Sequence, residues 1–199
     1  MREPNWKSYV VLLPKPILTP QQCRELIRLG QAEPQSDGTV MTEGNASKEN
    51  YTVRKSKISW IPLNKAPNIY NIIAGWMQNV TLNRFGFDNM QMNEPGQYTE
   101  YSKGGFYDWH VDIGVNRHEM AMVRKISLTL LLNDPKEFEG GELELFSKAV
   151  SGDERGDAVF NLKQGQALFF ASFHVHRVIP ITSGNRKSLV MWFGGTPLK

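Results

Sequence analysis

The sequence predicts a mainly β protein with N-terminal helices: a double-stranded β-helix, or jelly-roll, core with the helices packed on it. Three observations lead there. From Met90 onward, short apolar segments recur at close spacing between Gly-rich turns, which is the pattern of a sandwich or barrel. Before that point, two stretches repeat their apolar residues at helical spacing. No linker, internal repeat or low-complexity segment divides the 199 residues. One domain is therefore expected over 1–199, with a helical and loop part (1–89) packed on a jelly-roll core (90–199).

Each element has its own signal. Ser8 to Leu13 reads as a short apolar strand, ended by Pro14 and Pro16. Thr19-Pro20-Gln21-Gln22 is a helix start: Thr as N-cap, Pro at the first helical position, Gln three residues after the cap. Leu26, Ile27 and Gly30 continue that helix, which should fade between Gln31 and Pro34. Gln35 to Asn50 is polar and reads as a loop, with a lid over a pocket as its functional counterpart. Tyr51 to Pro62 returns to extended structure. Pro67 opens a second helix, whose stripe is Ile69, Ile72, Ile73, Trp76, Met77 and Val80. The strands follow: Gln91–Tyr101, Phe106–Ile113, Lys125–Asn133, Glu142–Phe146, Ala167–Ser172, His174–Ile181 and Arg186–Phe193. Lys103-Gly104-Gly105 and Thr182-Ser183-Gly184-Asn185 read as turns.

Composition narrows the function classes. Hydrophobic residues make up 40% and charged residues 22%, ordinary values for a globular domain. The net charge of +3, without a Lys/Arg block, argues against a nucleic-acid partner. A single cysteine, Cys23, excludes an intramolecular disulfide and fits a reducing compartment. Met1 to Trp6 has no apolar leader core, and no apolar run approaches the ~18 residues that span a bilayer. The expectation is a cytoplasmic protein without a membrane partner. Nothing in the sequence bears on oligomeric state.

The chemistry concentrates at His110-Val111-Asp112, with His176 and Arg186 much later. Two imidazoles and one carboxylate are the ligand set of non-haem Fe(II) oxygenases, which leaves positions open for small molecules. On a strand, residues two apart face the same side, so His110 and Asp112 should project together. The flanking Phe106, Tyr107, Trp109, Val111 and Ile113 suggest a half-buried place, where a carboxylate and an imidazole need partners. His118 sits in a polar stretch and reads as an exposed loop histidine. His174 and His176 are two apart, and spacing alone does not choose between them. The residues after His176 do: a strand, a tight turn at Thr182–Asn185 and a returning strand would bring Arg186 into the pocket of His176. His174 is then a hydrogen-bonded structural histidine. A guanidinium at 186 suits a dicarboxylic co-substrate through its fork of donors. Ser188 shares the face of Arg186; its hydroxyl either adds a hydrogen bond to the same carboxylate or is that of a strand serine bonded to backbone. Tyr107, Trp109 and the Gly104-Gly105 turn lie close enough in sequence to shape a substrate mouth.

The segment Tyr101-Ser102-Lys103-Gly104-Gly105-Phe106-Tyr107-Asp108-Trp109-His110-Val111-Asp112 resembles the prolyl 4-hydroxylase branch of the 2-oxoglutarate/Fe(II)-dependent oxygenases. Gly140-Gly141-Glu142-Leu143 does too. The run from His176 to Arg186, followed by Trp192-Phe193, looks most like the PKHD-type hydroxylases of that branch. The likeness covers roughly Gln91 to Gly195. It implies a jelly roll with iron(II) held by His110, Asp112 and His176, and 2-oxoglutarate with its distal carboxylate on Arg186. Tyr101 matches a family tyrosine near the co-substrate. Oxygen is implied as second substrate, and ascorbate is compatible. Collagen-type relatives carry Lys where Arg186 stands, and this chain departs from them there. The implied reaction hydroxylates an unactivated C–H bond, on a prolyl residue of a peptide or protein. A free amino acid or other small metabolite is the alternative substrate, and a non-catalytic cupin-like metal-binding protein the alternative class. Nucleic-acid demethylases of the superfamily carry a second Arg six residues after the first. Trp192 occupies that position here.

Overall fold

The protein is described from a computed structural model over residues 9–41, 47–92, 94–113, 123–146 and 158–195. In chain order the elements are β1 (Val10–Leu12), α1 (Pro20–Ala32), β2 (Ser36–Asp37), β3 (Thr39–Met41), β4 (Ser47–Glu49), β5 (Arg54–Lys55), β6 (Lys57–Ile61) and α2 (Pro67–Val80). They continue as β7 (Gly96–Ser102), β8 (Phe106–His110), β9 (Val123–Leu131), β10 (Phe138–Gly140), β11 (Leu143–Leu145), β12 (Ala158–Phe160), β13 (Ala167–Ala171), β14 (His176–Val178) and β15 (Ile181–Gly195). Helix α1 starts where its capping signal stands: the Gln22 N–H donates to the Thr19 hydroxyl, and Gln22 Oε1 accepts from the Thr19 N–H at 2.8 Å.

Two antiparallel sheets face each other. The larger runs β1-β13-β9-β15-β7-β6-β2, with β10 paired to β15; the smaller runs β12-β11-β14-β8-β5. Alternation decides what each face of the large sheet meets. Ile126, Leu128 and Leu130 of β9, Leu189, Met191 and Phe193 of β15, and Phe169 of β13 join Leu26 of α1 and Ile69, Ile73 and Met77 of α2 in one buried core. The residues between them form the other face. Tyr101, Leu131, Leu168 and Phe170 pack there against Leu143, Leu145 and Val178 of the small sheet. The helices thus cover the outside of the large sheet, and the small sheet closes its inside: a double-stranded β-helix.

Two expectations need correction. Gln35 to Asn50 is not plain loop. Ser36–Asp37 pairs with β6 at the sheet edge, and Thr39–Met41 pairs with Ser47–Glu49 as a hairpin. Ladder bonds come from the backbone, so polar side chains on an edge strand hide it from a hydropathy reading. Residues 42–46 lie outside the described residues, as does the lid reading that depends on them. Likewise Thr182–Asn185 is not a turn. Strand β15 runs unbroken from Ile181 to Gly195, and β10 pairs with its first part. Gly184 takes φ +71°, and the Glu137 carbonyl of the neighbouring segment comes up against the place a Cβ would fill, so both call for glycine. The change from the small sheet to the large one happens within Ile179-Pro180 instead.

Candidate functional site

The inner face of the large sheet is polar at one end, and the register shows how. Across β15 and β7, Arg186 faces Tyr101 and Ser188 faces Thr99. Across β15 and β9, Trp192 faces Ser127 and Val190 faces Thr129. Arg186, Ser188, Thr99, Ser127 and Thr129 are all buried. Buried polar groups need partners, and a continuous patch of them between two sheets marks a place built to hold something polar.

His110 and His176 stand opposite each other on β8 and β14. Three residues of β14 (His176 to Val178) span four of β8 (Tyr107 to His110), so β8 carries a bulge. The extra residue resets the alternation and turns both Tyr107 and His110 inward. Their rings stack with centroids 3.5 Å apart. Trp109 is left on the outer face of the small sheet, with the Arg177 guanidinium 4.4 Å above its ring. Of the three elements expected at the mouth, Tyr107 is at the site and Trp109 is not. The Gly104-Gly105 turn is hydrogen-bonded to Ile181 between β7 and β8.

Asp112 is not on the strand with His110, as the two-residue spacing implied. It lies just past the end of β8, where its N–H donates to the Ser172 carbonyl at 2.9 Å. The three side chains converge nonetheless: one ligand atom from each of His110, Asp112 and His176 lies within 4.8 Å of the others. Asp112 Oδ1 is 3.8 Å from His110 Nε2, and Oδ2 is 3.5 Å from His176 Nε2. Both imidazoles commit Nδ1 to a main-chain carbonyl, His110 to Asp108 at 2.7 Å and His176 to His174 at 2.9 Å. A neutral ring that donates from Nδ1 keeps a lone pair on Nε2, the state a metal ligand needs. Burial, and then the neighbouring His176, pull the His110 pKa down to about 3, so the ring is neutral at physiological pH. Burial pushes the Asp112 carboxyl the other way. The two histidines, the Ser127 hydroxyl and the nearby Trp192 indole outweigh it and hold Asp112 below the usual carboxylate range. The donor set, its protonation and its spacing fit a divalent ion.

Arg186 is 3% exposed and, among the described residues, gives one hydrogen bond, from Nη1 to Ser188 Oγ at 3.0 Å. Its guanidinium lies 5.9 Å from the Tyr101 ring centre. Burial lowers its pKa, opposed by Tyr101 and Glu142, yet a guanidinium stays charged. Among the described residues no carboxylate is within ion-pair distance of it. A buried cation in that condition fits an anionic ligand.

His174 serves through its carbonyl. Its own Nε2 is buried without a hydrogen-bond partner among the described residues. His118 lies outside the described residues. Sequence reasoning missed Ser127 and Ser172 behind Asp112, and Arg54, whose guanidinium covers the Tyr107 ring at 4.5 Å. Ser127 alone had a signal: a serine alternating with Ile126 and Leu128 in an otherwise apolar strand.

The 2OG-Fe(II) oxygenase superfamily model matches residues 96–194, about half of the chain. The chain belongs to the 2OG-Fe(II) oxygenase superfamily. Its name carries its chemistry: iron(II), 2-oxoglutarate and oxygen. A PKHD-type hydroxylase of Psychrobacter sp. (strain PRwf-1) is 38% identical over 101 residues, 49% of this chain and 37% of the relative. One from Colwellia psychrerythraea is 38% identical over 94 residues, 47% of this chain and 40% of the relative. The aligned part thus spans about two-fifths of these relatives' length. Among solved structures, a Pseudomonas putida prolyl-4-hydroxylase superposes with a TM-score of 0.67 at 21% identity, over 94% of this chain and 92% of that one. A Trichoplax adhaerens prolyl hydroxylase, solved with a hypoxia inducible factor peptide fragment, gives 0.70 at 16%, over 94% and 84%. At such identities these two establish the fold, which is the jelly roll expected. No described helix is long and apolar enough to cross a membrane.

Proposed function

We propose that this chain is an Fe(II)- and 2-oxoglutarate-dependent dioxygenase that hydroxylates an unactivated C–H bond, on a prolyl residue of a peptide or protein. The convergence of His110, Asp112 and His176, with Nδ1 of both imidazoles committed to main-chain carbonyls and Nε2 turned to the carboxylate, carries the proposal. In this reading those three side chains hold the iron, and Arg186 receives the distal carboxylate of 2-oxoglutarate, with Ser188 and Tyr101 beside it. The iron and the co-substrate together supply the oxidising power; the protein binds, orients and shields. His110 and Asp112 already stand in the protonation states a metal requires, so binding at neutral pH displaces no proton from either. Tyr107, stacked on His110, excludes water from one side of the ring. The single domain over 1–199 and its cytoplasmic place belong to the same proposal. The prolyl substrate rests on the names of the Pseudomonas putida prolyl-4-hydroxylase and the Trichoplax prolyl hydroxylase, and on the peptide fragment solved with the latter.

The test is 2-oxoglutarate titrated into Fe(II)- or Mn(II)-loaded protein, followed by turnover with Pro-containing peptides. Binding of 2-oxoglutarate together with peptide-stimulated decarboxylation is the expected result. Binding without stimulation by any such peptide or protein overturns the prolyl substrate and leaves a small metabolite. No binding of 2-oxoglutarate overturns the oxygenase reading in favour of a non-catalytic metal protein.

A further inference from the structure

We infer that Ser127 and Ser172 form a hydroxyl relay that fixes the orientation of Asp112 and reserves one of its oxygens for the metal; both are positioning residues. The inference rests on the proposed metal role of Asp112 and goes beyond it.

Three hydrogen bonds carry it. Ser127 Oγ is 2.7 Å from Asp112 Oδ2, Ser127 Oγ is 2.9 Å from Ser172 Oγ, and the Asp112 N–H reaches the Ser172 carbonyl at 2.9 Å. Both serines are fully buried. The direction of the relay follows by elimination. An ionised carboxylate has no proton to give, so Ser127 must donate to Oδ2. A hydroxyl has one proton, so Ser127 can only accept from Ser172. The Ser172 hydroxyl therefore donates to Ser127, and its donation polarises the bond that Ser127 makes to the carboxylate. Charge-assisted bonds of this kind are the strong ones.

The backbone adds rigidity. Ser172 follows β13 directly, and its N–H donates to the Lys125 carbonyl at 2.9 Å, two residues before Ser127 on β9. One residue thus ties the main chain of Asp112, the side chain of Ser127 and the end of the central strands into one unit. Oδ2 is engaged by a neutral donor, and Oδ1 makes no hydrogen bond among the described residues. The carboxylate cannot rotate without breaking the bond to Ser127. Removing that bond would free Asp112 to turn away from the two imidazoles with which it would hold the metal.

The experiment is Mn(II) titration of wild type, Ser127→Ala, Ser172→Ala and Ser127→Thr, read by calorimetry and by the Mn(II) electron paramagnetic resonance spectrum, with metal-free melting temperatures alongside. Ser127→Ala should weaken Mn(II) binding about tenfold or more and alter the spectrum. Ser172→Ala, which touches no metal ligand through its side chain, should shift both in the same direction by less. Ser127→Thr, which keeps the hydroxyl, should restore both. Unchanged affinity and spectrum in folded Ser127→Ala, even with a lowered melting temperature, overturns the relay and leaves a packing role. Should Ser127→Ala fail to fold, Ser172→Ala decides by the same criteria. Asp112→Ala separates this from the parent reading: Mn(II) bound as tightly without that carboxylate overturns the metal site itself, and the relay with it.

Discussion

The two faces of strands β9 and β15 are both largely buried and differ in chemistry. The outer face, Ile126, Leu128, Leu130, Leu189, Met191 and Phe193, meets the helices through apolar contacts alone. The inner face carries Leu131 and Trp192 too, but its Ser127, Thr129, Arg186 and Ser188 are polar and just as hidden from solvent. Apolar burial stabilises by roughly 25 cal/mol per Å² wherever it occurs and is indifferent to position. Buried hydroxyls and a guanidinium contribute little net stability and are costly when unpartnered. The outer face therefore holds the fold together. The inner face is tolerated because the outer one is strong, and it specifies what the cavity receives.

Substitutions can break that contrast. The largest effect should come from the inner face: Asp112→Ala abolishes metal-dependent turnover of 2-oxoglutarate while circular dichroism stays that of a folded jelly roll. His176→Ala should do the same and His174→Ala should not; the reverse outcome in metal titration would reassign the third ligand. On the outer face, Phe193→Ala should cost about 3–5 kcal/mol in urea unfolding, the range for a truncated core aromatic. Metal affinity of the folded protein should not change, and a large change would mean the faces are coupled. Arg186→Ala should raise the 2-oxoglutarate requirement by roughly ten- to a hundredfold, equivalent to a lost charged hydrogen bond of about 1.5–3 kcal/mol. Mn(II) affinity should be spared.

The smallest effect sharpens the comparison by pH. Tyr70 and Tyr98 belong to the outer core, and burial pushes the Tyr70 phenol up to about 12 and Tyr98 higher still. Raised folded values mean that this stability is present below the unfolded tyrosine pKa of about 10 and is lost as pH rises through the folded values. Urea midpoints should therefore fall as pH rises from about 10 towards 12. A Tyr70→Phe variant should flatten part of that fall, and an unchanged slope would show that this phenol is not the cause.

Much of this was legible along the chain. Helix α1 announces itself at Thr19 and Gln22, α2 at Pro67, and β9 through alternation of Ile126, Leu128 and Leu130 with Ser127 and Thr129. His110, Asp112, His176 and Arg186 stood out because their residue types and order are rare together. The route from His176 to Arg186 was misread: Thr182-Ser183-Gly184-Asn185 has turn composition, yet Gly184 serves the close approach of Glu137 inside a strand. Composition reports the backbone shapes a residue permits, not the neighbour that requires one.

What the sequence by itself determined is the set of elements, the faces they bury and the identity of the groups available for chemistry, because periodicity and residue type are local properties. The tertiary structure alone decided which groups meet. The β8 bulge turned Tyr107 to the site and Trp109 away from it, and the fold brought Ser172 to Ser127 across 45 residues. Such pairings arise from strand register and bulges summed over two sheets, and no local window of the chain contains them.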